Sequence, residues 1–311
     1  MKKTEGIHHI TAIVGHPQEN VDFYAGILGL RLVKKTVNFD DPGTYHFYFG
    51  DDRGNPGTII TFFPWPNAYR GKIGGGQVGV TTYVIPPGAM SFWEKRLDKF
   101  KIKYEKSKRF GEEFLQFEDV HGLKLEFVER EEGEQNEWTF GEVMPDVAIK
   151  GFGGAVLYSL HPDETIRALE KTMGLEKIGE EGDDVRLKAY GHIGNIIDVK
   201  RIPLERGQMG VGTVHHIAWR AKDKDDHLDW QAYVRKQGFR VTNVRDRNYF
   251  DAIYFREHGD ILFEIATDPS GFLHDESYET MGEALKLPPQ YESYRKRLNE
   301  TLIPIEVRTL D

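Results

Sequence analysis

Two stretches of the chain place a histidine pair at the head of an apolar run: IHHITAIV from Ile7 to Val14 and VHHIAWRA from Val214 to Ala221. A third stretch, DILFEIATD from Asp260 to Asp268, sets Glu264 inside an otherwise apolar run. Alternate residues of a strand face opposite sides. His9, Thr11 and Ile13 therefore oppose His8, Ile10, Ala12 and Val14, while His216, Ala218 and Arg220 oppose His215, Ile217 and Trp219. The second histidine of each pair lies on the more polar face. Glu264 stands opposite Ile261, Phe263 and Ile265, a costly place for a carboxylate unless a cation neutralises it. Two imidazoles and one carboxylate, His9, His216 and Glu264, are the facial set that suits Fe(II) with coordination positions left open; Mn(II) accepts similar ligands. A lone strand histidine is more often a hydrogen-bonded structural residue, but two pairs at equivalent places, with a matching glutamate, favour a metal.

Those equivalent places follow from an internal repeat. From Gly6 to Pro64 the residues read as strand, helix (PQENVDFYAGILGL, with Val21, Tyr24, Ala25 and Leu28 at helical spacing and Gly29 as stop) and three strands, RLVKKTVNF, YHFYFGD and GTIITFF. VGVTTYVI, SFWEKRLDKF, FLQFED and GLKLEFVER repeat the order. So do GGAVLYSL, DETIRALEKTMGL, VRLKAYG and NIIDVKR, and then VHHIAWRA, DHLDWQAYVRKQGF, RVTNVRDRNY, AIYFREHG and DILFEIATD. The expectation is an α+β fold of four βαβββ modules paired into two barrel-like domains. In chain order these are 6–130 (modules one and two) and 151–267 (three and four), with a tail over 268–311 carrying one amphipathic helix, PQYESYRKRLNETL. If one ion is to meet both histidine pairs, modules one (6–64) and four (212–267) must share a barrel, leaving the other without metal. Glu126 in GLKLEFVER has no histidine partner and reads as structural or rim-exposed. The Gly74–Gly76 run leads into a strand without a following Gly-Lys-Ser/Thr, so it is no phosphate loop.

Composition narrows the classes further. The 311 residues contain no cysteine, which excludes disulfides, thiolate metal sites and cysteine nucleophiles and suits a reducing cytoplasm. A net charge of −9 with scattered Lys and Arg argues against a nucleic-acid surface. No apolar run approaches the ~20 residues of a membrane helix, and MKKTEGIHHIT lacks the apolar core of a signal peptide. A homo-oligomer stays open.

The repeats, with VDFYAGILGL after the first strand, resemble the vicinal oxygen chelate superfamily of glyoxalases, bleomycin-resistance proteins and extradiol dioxygenases. More narrowly, GIHHITAI, YHFYFGD, GNPGTIITFFP, VHHIAWRA and the tail LPPQYESYRKRLNETLIPIE are similar to the hydroquinone-type ring-cleaving dioxygenases, the methylhydroquinone-linked bacterial enzymes among them. The resemblance spans nearly the whole chain. It implies Fe(II) held by His9, His216 and Glu264, a small dihydroxyarene and O2 as substrates, and functional neighbours at His8, Thr11, His215, Arg247 and Tyr254. The residues themselves agree in part: Thr11 shares the His9 face, and Tyr254 lies opposite Ile253 and Phe255. Arg247 reads equally well as a solvated charge, and His8 and His215 as hydrogen-bonders on the core side. Superfamily membership does not fix the reaction. A glyoxalase-like lyase or isomerase would need another carboxylate in GTIITFF, which has none, and a drug-sequestering relative would need no metal set.

Overall fold

The computed structural model describes residues 1–202 and 204–311. Module one runs β1 (Ile7–Val14), α1 (Pro17–Val21), β2 (Arg31–Val37), β3 (Tyr45–Gly50) and β4 (Ile59–Pro64). Pro17 opens α1 where its missing N–H costs nothing, and the His16 ring accepts from the Gln18 N–H. The coil then widens into π-helical turns over Asp22–Ile27, and Gly29, at φ +71°, ends it. Module two is β5 (Gln77–Ile85), α2 (Met90–Lys99), β6 (Tyr104–Arg109), β7 (Glu112–Glu118) and β8 (Lys124–Glu129). Module three is β9 (Gly151–Tyr158), α3 (Pro162–Ala168), β10 (Glu176–Glu181), β11 (Asp184–Lys188) and β12 (Ile196–Lys200). Module four is β13 (Thr213–Ala221), α4 (Lys224–Lys236), β14 (Arg245–Asp246), β15 (Asp251–Arg256) and β16 (Leu262–Thr267).

The described residues form two eight-stranded sheets, β14-β15-β16-β13-β1-β4-β3-β2 and β10-β11-β12-β9-β5-β8-β7-β6. Modules one and four share the first and modules two and three the second, so each sheet draws on both halves of the chain. The apolar face of each strand meets the helices. Ile10, Ala12 and Val14 of β1 join Val21, Tyr24 and Leu28 in one buried cluster, which also takes in Ile217, Trp219 and Phe263 with Trp230 and Val234 of α4.

Several elements depart from the expectation. β6 and β10 lie at the two edges of the second sheet, where EKIGEE is mostly exposed and YEKSKR is exposed or half-buried apart from Arg109. Charged edge strands discourage pairing with other chains and carry no apolar alternation to betray them. RVTNVRDRNY forms only the two-residue β14. At Thr242 the side-chain hydroxyl, not a carbonyl, accepts from the Tyr254 N–H at 3.0 Å, and the ladder breaks there. The expected tail helix is a 3₁₀ stretch, Pro289–Tyr294, followed by α5 (Arg295–Thr301). No helix among the described residues is long and apolar enough to cross a membrane.

The tail returns over the first sheet and covers the edge of β2, where the Lys286 N–H donates to the Lys35 carbonyl at 2.9 Å. Its anchor is Lys34, fully buried. The Lys34 ammonium donates to the Phe272 carbonyl at 3.0 Å, to Asp275 at 2.6 Å and to buried Glu276. Lys34→Met leaves Glu276 charged, with the Gly282 N–H at 3.3 Å in place of a cation. Breaking such a pair costs about 3–5 kcal/mol. We therefore expect a lower urea midpoint and faster tryptic cleavage beyond residue 268, read side by side on the parent and the variant.

Candidate metal centre

The ladder sets out two rows of side chains across the first sheet. One runs Tyr254, Glu264, Ala218, His9, Ile59 over β15, β16, β13, β1 and β4. The other runs His216, Thr11, Thr61, Tyr48 over β13, β1, β4 and β3. Ala218, between Glu264 and His9, has no bulk to hold them apart. His9, His216 and Glu264 are a group, among the described residues, whose ligand atoms all lie within 4.8 Å of one another. The two Nε2 atoms are 3.3 Å apart. A Glu264 carboxylate oxygen lies 2.9 Å from His216 Nε2 and 3.6 Å from His9 Nε2.

Glu264 is fully buried, and neither of its oxygens receives a hydrogen bond from a described donor. Burial pushes its carboxyl up; the adjacent His9 and His216 rings override that and hold it well below the ordinary carboxylate range when they are protonated. At neutral pH burial keeps the His216 ring below its ordinary value, and so uncharged. A neutral His216 gives the carboxylate no compensating charge, and a buried charge without a counter-charge is expensive. Two nitrogen lone pairs and one oxygen anion, all converging, fit a divalent cation of the iron or manganese type.

The first histidine of each pair does not follow strict alternation. The β1–β13 register slips twice, with an extra residue at His8 on β1 and at His215 on β13. A bulge turns its extra side chain toward that of its neighbour. His8 and His215 therefore stand on the metal side rather than facing the helices. His8 Nδ1 lies 2.9 Å from His9 Nδ1, and His215 Nδ1 lies 2.8 Å from His216 Nδ1. His8 Nε2 meets the Thr267 carbonyl at 3.2 Å, an acceptor, so it carries the proton there. Its Nδ1 then accepts from His9 Nδ1–H and leaves His9 Nε2 a lone pair aimed at Glu264. Burial holds both supporting rings neutral, His8 well below its ordinary value and His215 down to about 3. Such partners orient metal-binding imidazoles.

Tyr254 and Arg247 also reach the site. The Arg247 Nε–H donates to the Tyr254 hydroxyl at 3.2 Å, and its Nη2–H donates to Asp40 at 3.0 Å. Arg247 is thus tied across the mouth rather than solvated. Burial raises the Tyr254 phenol well above its ordinary value, and it keeps its proton. One end of the concave face is filled by Tyr48, Tyr249, Phe250 and, from the tail, Phe272 and Met281; the Phe250 ring centroid is 5.0 Å from that of His9. His46, Phe63, His215, Arg247 and Tyr254 are half-buried and carry the site toward solvent; Tyr254 also packs against that aromatic cluster. His46, Tyr48 and Thr61, which lie outside the histidine-pair pattern, also belong to this face. The sequence holds a signal for two of them: alternation in YHFYFGD sets His46 and Tyr48 on the face opposite Tyr45, Phe47 and Phe49.

The second sheet is an internal control. Matching ladder positions put Glu126 where Glu264 stands, Asp198 where Thr61 stands, and Gly154 and Val80 where His9 and His216 stand. Gly154, at φ +145° with the Ile196 carbonyl 1.9 Å from where a Cβ would sit, admits no side chain. Glu126 is fully buried, not at a rim. Arg109 donates to Glu126 at 2.9 Å and to Asp198 at 2.7 Å, and Arg186 grips Asp198 at 2.8 and 2.9 Å. Guanidinium groups supply there the positive charge that the first sheet lacks. Thr61, a hydroxyl where the second sheet has a carboxylate, leaves the first sheet with three candidate ligands rather than four.

A profile of the Glyoxalase/Bleomycin resistance protein/Dioxygenase superfamily matches residues 6–274. Over 310 residues the chain is 69% identical to MhqO of Bacillus subtilis (strain 168), which carries the name of a ring-cleaving dioxygenase; the match covers 100% of this chain and 99% of that one. It is 36% identical over 316 residues to a chlorohydroquinone/hydroquinone 1,2-dioxygenase of Sphingobium indicum, covering 97% of each. A crystal structure of a Bacillus subtilis protein named as a dioxygenase superposes with a TM-score of 0.99 at 69% identity over 100% of both chains. With a profile match over most of its length and relatives alike from end to end, the chain belongs to the glyoxalase/bleomycin resistance protein/dioxygenase superfamily, among its ring-cleaving dioxygenases.

Proposed function

We propose that the protein is an Fe(II)-dependent dioxygenase that opens hydroquinone-type rings with O2. One observation carries the reading. Glu264 is buried without a donor and faces two imidazole nitrogens, whereas its counterpart Glu126 is matched by Arg109. His9, His216 and Glu264 would hold the ion. Bound there with open positions, Fe(II) would supply Lewis acidity toward a phenolic hydroxyl and a redox-active centre for O2. The Sphingobium relative bears a hydroquinone dioxygenase name, which supports that substrate class here.

The chain's own groups do the rest. His8 and His215 fix the tautomers and ring planes of the two histidine ligands. With Nδ1 accepting from His216, His215 turns its Nε2–H toward the mouth, where it can donate to a substrate oxygen. Tyr254 accepts from Arg247 and keeps its own proton, which it can donate to a developing oxyanion. Phe250 and Phe63 flank the site with aromatic surface and limit water around the ring. Hydroxyl Thr61, where a carboxylate would serve as a fourth ligand, argues against the isomerase alternative.

Purified chain, reconstituted with Fe(II) under argon, should consume one O2 per ring opened when mixed with hydroquinone or its chlorinated or methylated analogues. Manganese is the expected substitute metal, and the product should show the absorbance of a ring-opened semialdehyde acid. Turnover of a thiol adduct with Ni(II) or Zn(II), and no oxygen consumption on any diol, would reject the proposal.

A further inference from the structure

A line of four side chains runs from the plugged end of the first sheet to the metal side. Tyr48 Oη is 2.9 Å from His46 Nδ1, His46 Nε2 is 2.9 Å from Thr61 Oγ1, and Thr61 Oγ1 is 2.8 Å from Thr11 Oγ1. Tyr48, Thr61 and Thr11 are buried, and His46 is half-buried. Thr11 ends the line directly opposite His216 in the ladder. We infer that Tyr48, His46 and Thr61 are positioning residues that hold the Thr11 hydroxyl as a hydrogen-bond donor to the oxygen of a substrate bound beside His9, His216 and Glu264. This rests on the ring-cleaving reading and adds a specific, directional role to it.

The direction follows from counting protons. Among the described residues the Tyr48 hydroxyl has one partner, His46 Nδ1, and burial keeps the phenol protonated, so it donates. Burial also keeps the His46 ring neutral, and a neutral ring that accepts at Nδ1 carries its proton at Nε2. His46 therefore donates to Thr61. The remaining partner of Thr61 is Thr11, and its proton goes there. Thr11 has then spent an acceptor lone pair on Thr61 and has no described acceptor for its own proton, which is left for a bound oxygen. In the opposite order Thr11 would donate its proton to Thr61, turn only lone pairs toward the bound oxygen and repel an oxyanion. A line that merely satisfied buried hydroxyls would be indifferent to order.

Nitrogen-15 NMR of the metal-free protein labelled at histidine tests the order without any turnover. His46 should show a protonated Nε2 and a bare Nδ1; the reverse tautomer overturns the inference. Kinetics of the Fe(II) form test the consequence. Thr61→Val, His46→Phe and Thr11→Val should each lower kcat for hydroquinone about 10–100-fold, the usual cost of losing an outer partner, with KM little changed. Thr61→Ser should restore the rate. The Thr61→Val, Thr11→Val double variant should be no slower than Thr11→Val alone, because the relay acts through Thr11. Additive losses, or an unchanged rate in Thr61→Val, overturn it. If the unsubstituted protein consumes no oxygen with any diol, the ring-cleaving reading fails by itself, and the tautomer measurement still decides the hydrogen-bond order.

Discussion

Glu264→Gln should abolish iron retention and activity while making the metal-free protein more stable. The two signs come from one cause. In the proposed metal-loaded state the carboxylate would be a ligand and would supply much of the site's negative charge. Metal Lewis acidity contributes several kcal/mol to a transition state, so its loss should depress turnover by about a thousandfold or more. Free of metal, Glu264 is a buried anion with no described donor, facing a neutral His216 ring. A glutamine amide of the same shape removes that charge and can donate to the His9 or His216 nitrogen that the carboxylate now confronts. Leaving a buried polar group unmatched costs about 1–3 kcal/mol, and more when it is charged. The variant should therefore melt a few degrees above the parent when both are stripped of metal at pH 8. With Fe(II) present the order should invert, because only the parent gains binding free energy. Calorimetry with and without metal, beside elemental analysis, reads both. A metal-free Glu264→Gln that melts lower would make the carboxylate structural and undo the metal reading.

The parts of this site that could be read from the residues are those that strand periodicity and repetition dictate. His9, His216 and Glu264 announce themselves because a polar donor recurs at the same strand position in different modules. Pairing of modules one and four follows from asking where one ion could meet both histidine pairs. The bulges are a different matter. A single extra residue leaves no mark on composition, and strict alternation sends His8 and His215 to the wrong face. Yet the second sheet does carry a mark: Gly79 and Gly153 occupy its bulges, and glycine inside a strand often signals one. Laying the four modules over one another would have placed His8 on Gly153 and His215 on Gly79. The edge strands β6 and β10 escaped because exposed edges select charge rather than alternation. His46 escaped because one histidine among five aromatic or small neighbours reads as packing until Thr61 and Tyr48 are placed beside it.

Arg109→Met should destabilise the protein by about 3–5 kcal/mol, the usual cost of removing one member of a buried charge network. Its target lies entirely outside the metal sheet. Arg109 bridges Glu126 and Asp198, and Glu126 is otherwise held by the Thr82 hydroxyl at 2.6 Å and the Gln116 amide at 2.9 Å. Neither of those neutral donors replaces a cation. Asp198 keeps Arg186 and suffers less. Pairing Arg109→Met with Glu126→Leu removes both charges in a volume of similar size, and a hydrophobic replacement of a whole buried pair is often neutral or better. The double variant should thus recover most of the stability lost by the single one, measured as urea midpoints at pH 7. Acid supplies an independent check. Burial pushes the Asp198 carboxyl up, and the Arg186 and Arg109 guanidinium groups more than reverse this, leaving it below its ordinary value. Its stabilisation is therefore complete above the unfolded carboxylate pKa of about 4 and is lost as pH falls through the depressed folded value. The parent should lose midpoint steeply on that acid limb, and Arg109→Met should lose less, having less to forfeit. Iron content per folded molecule should be the same in parent and variants, since every proposed ligand belongs to the other sheet. If Arg109→Met instead releases iron from a still-folded protein, the two sheets are coupled, and the second barrel does more than carry its own charge.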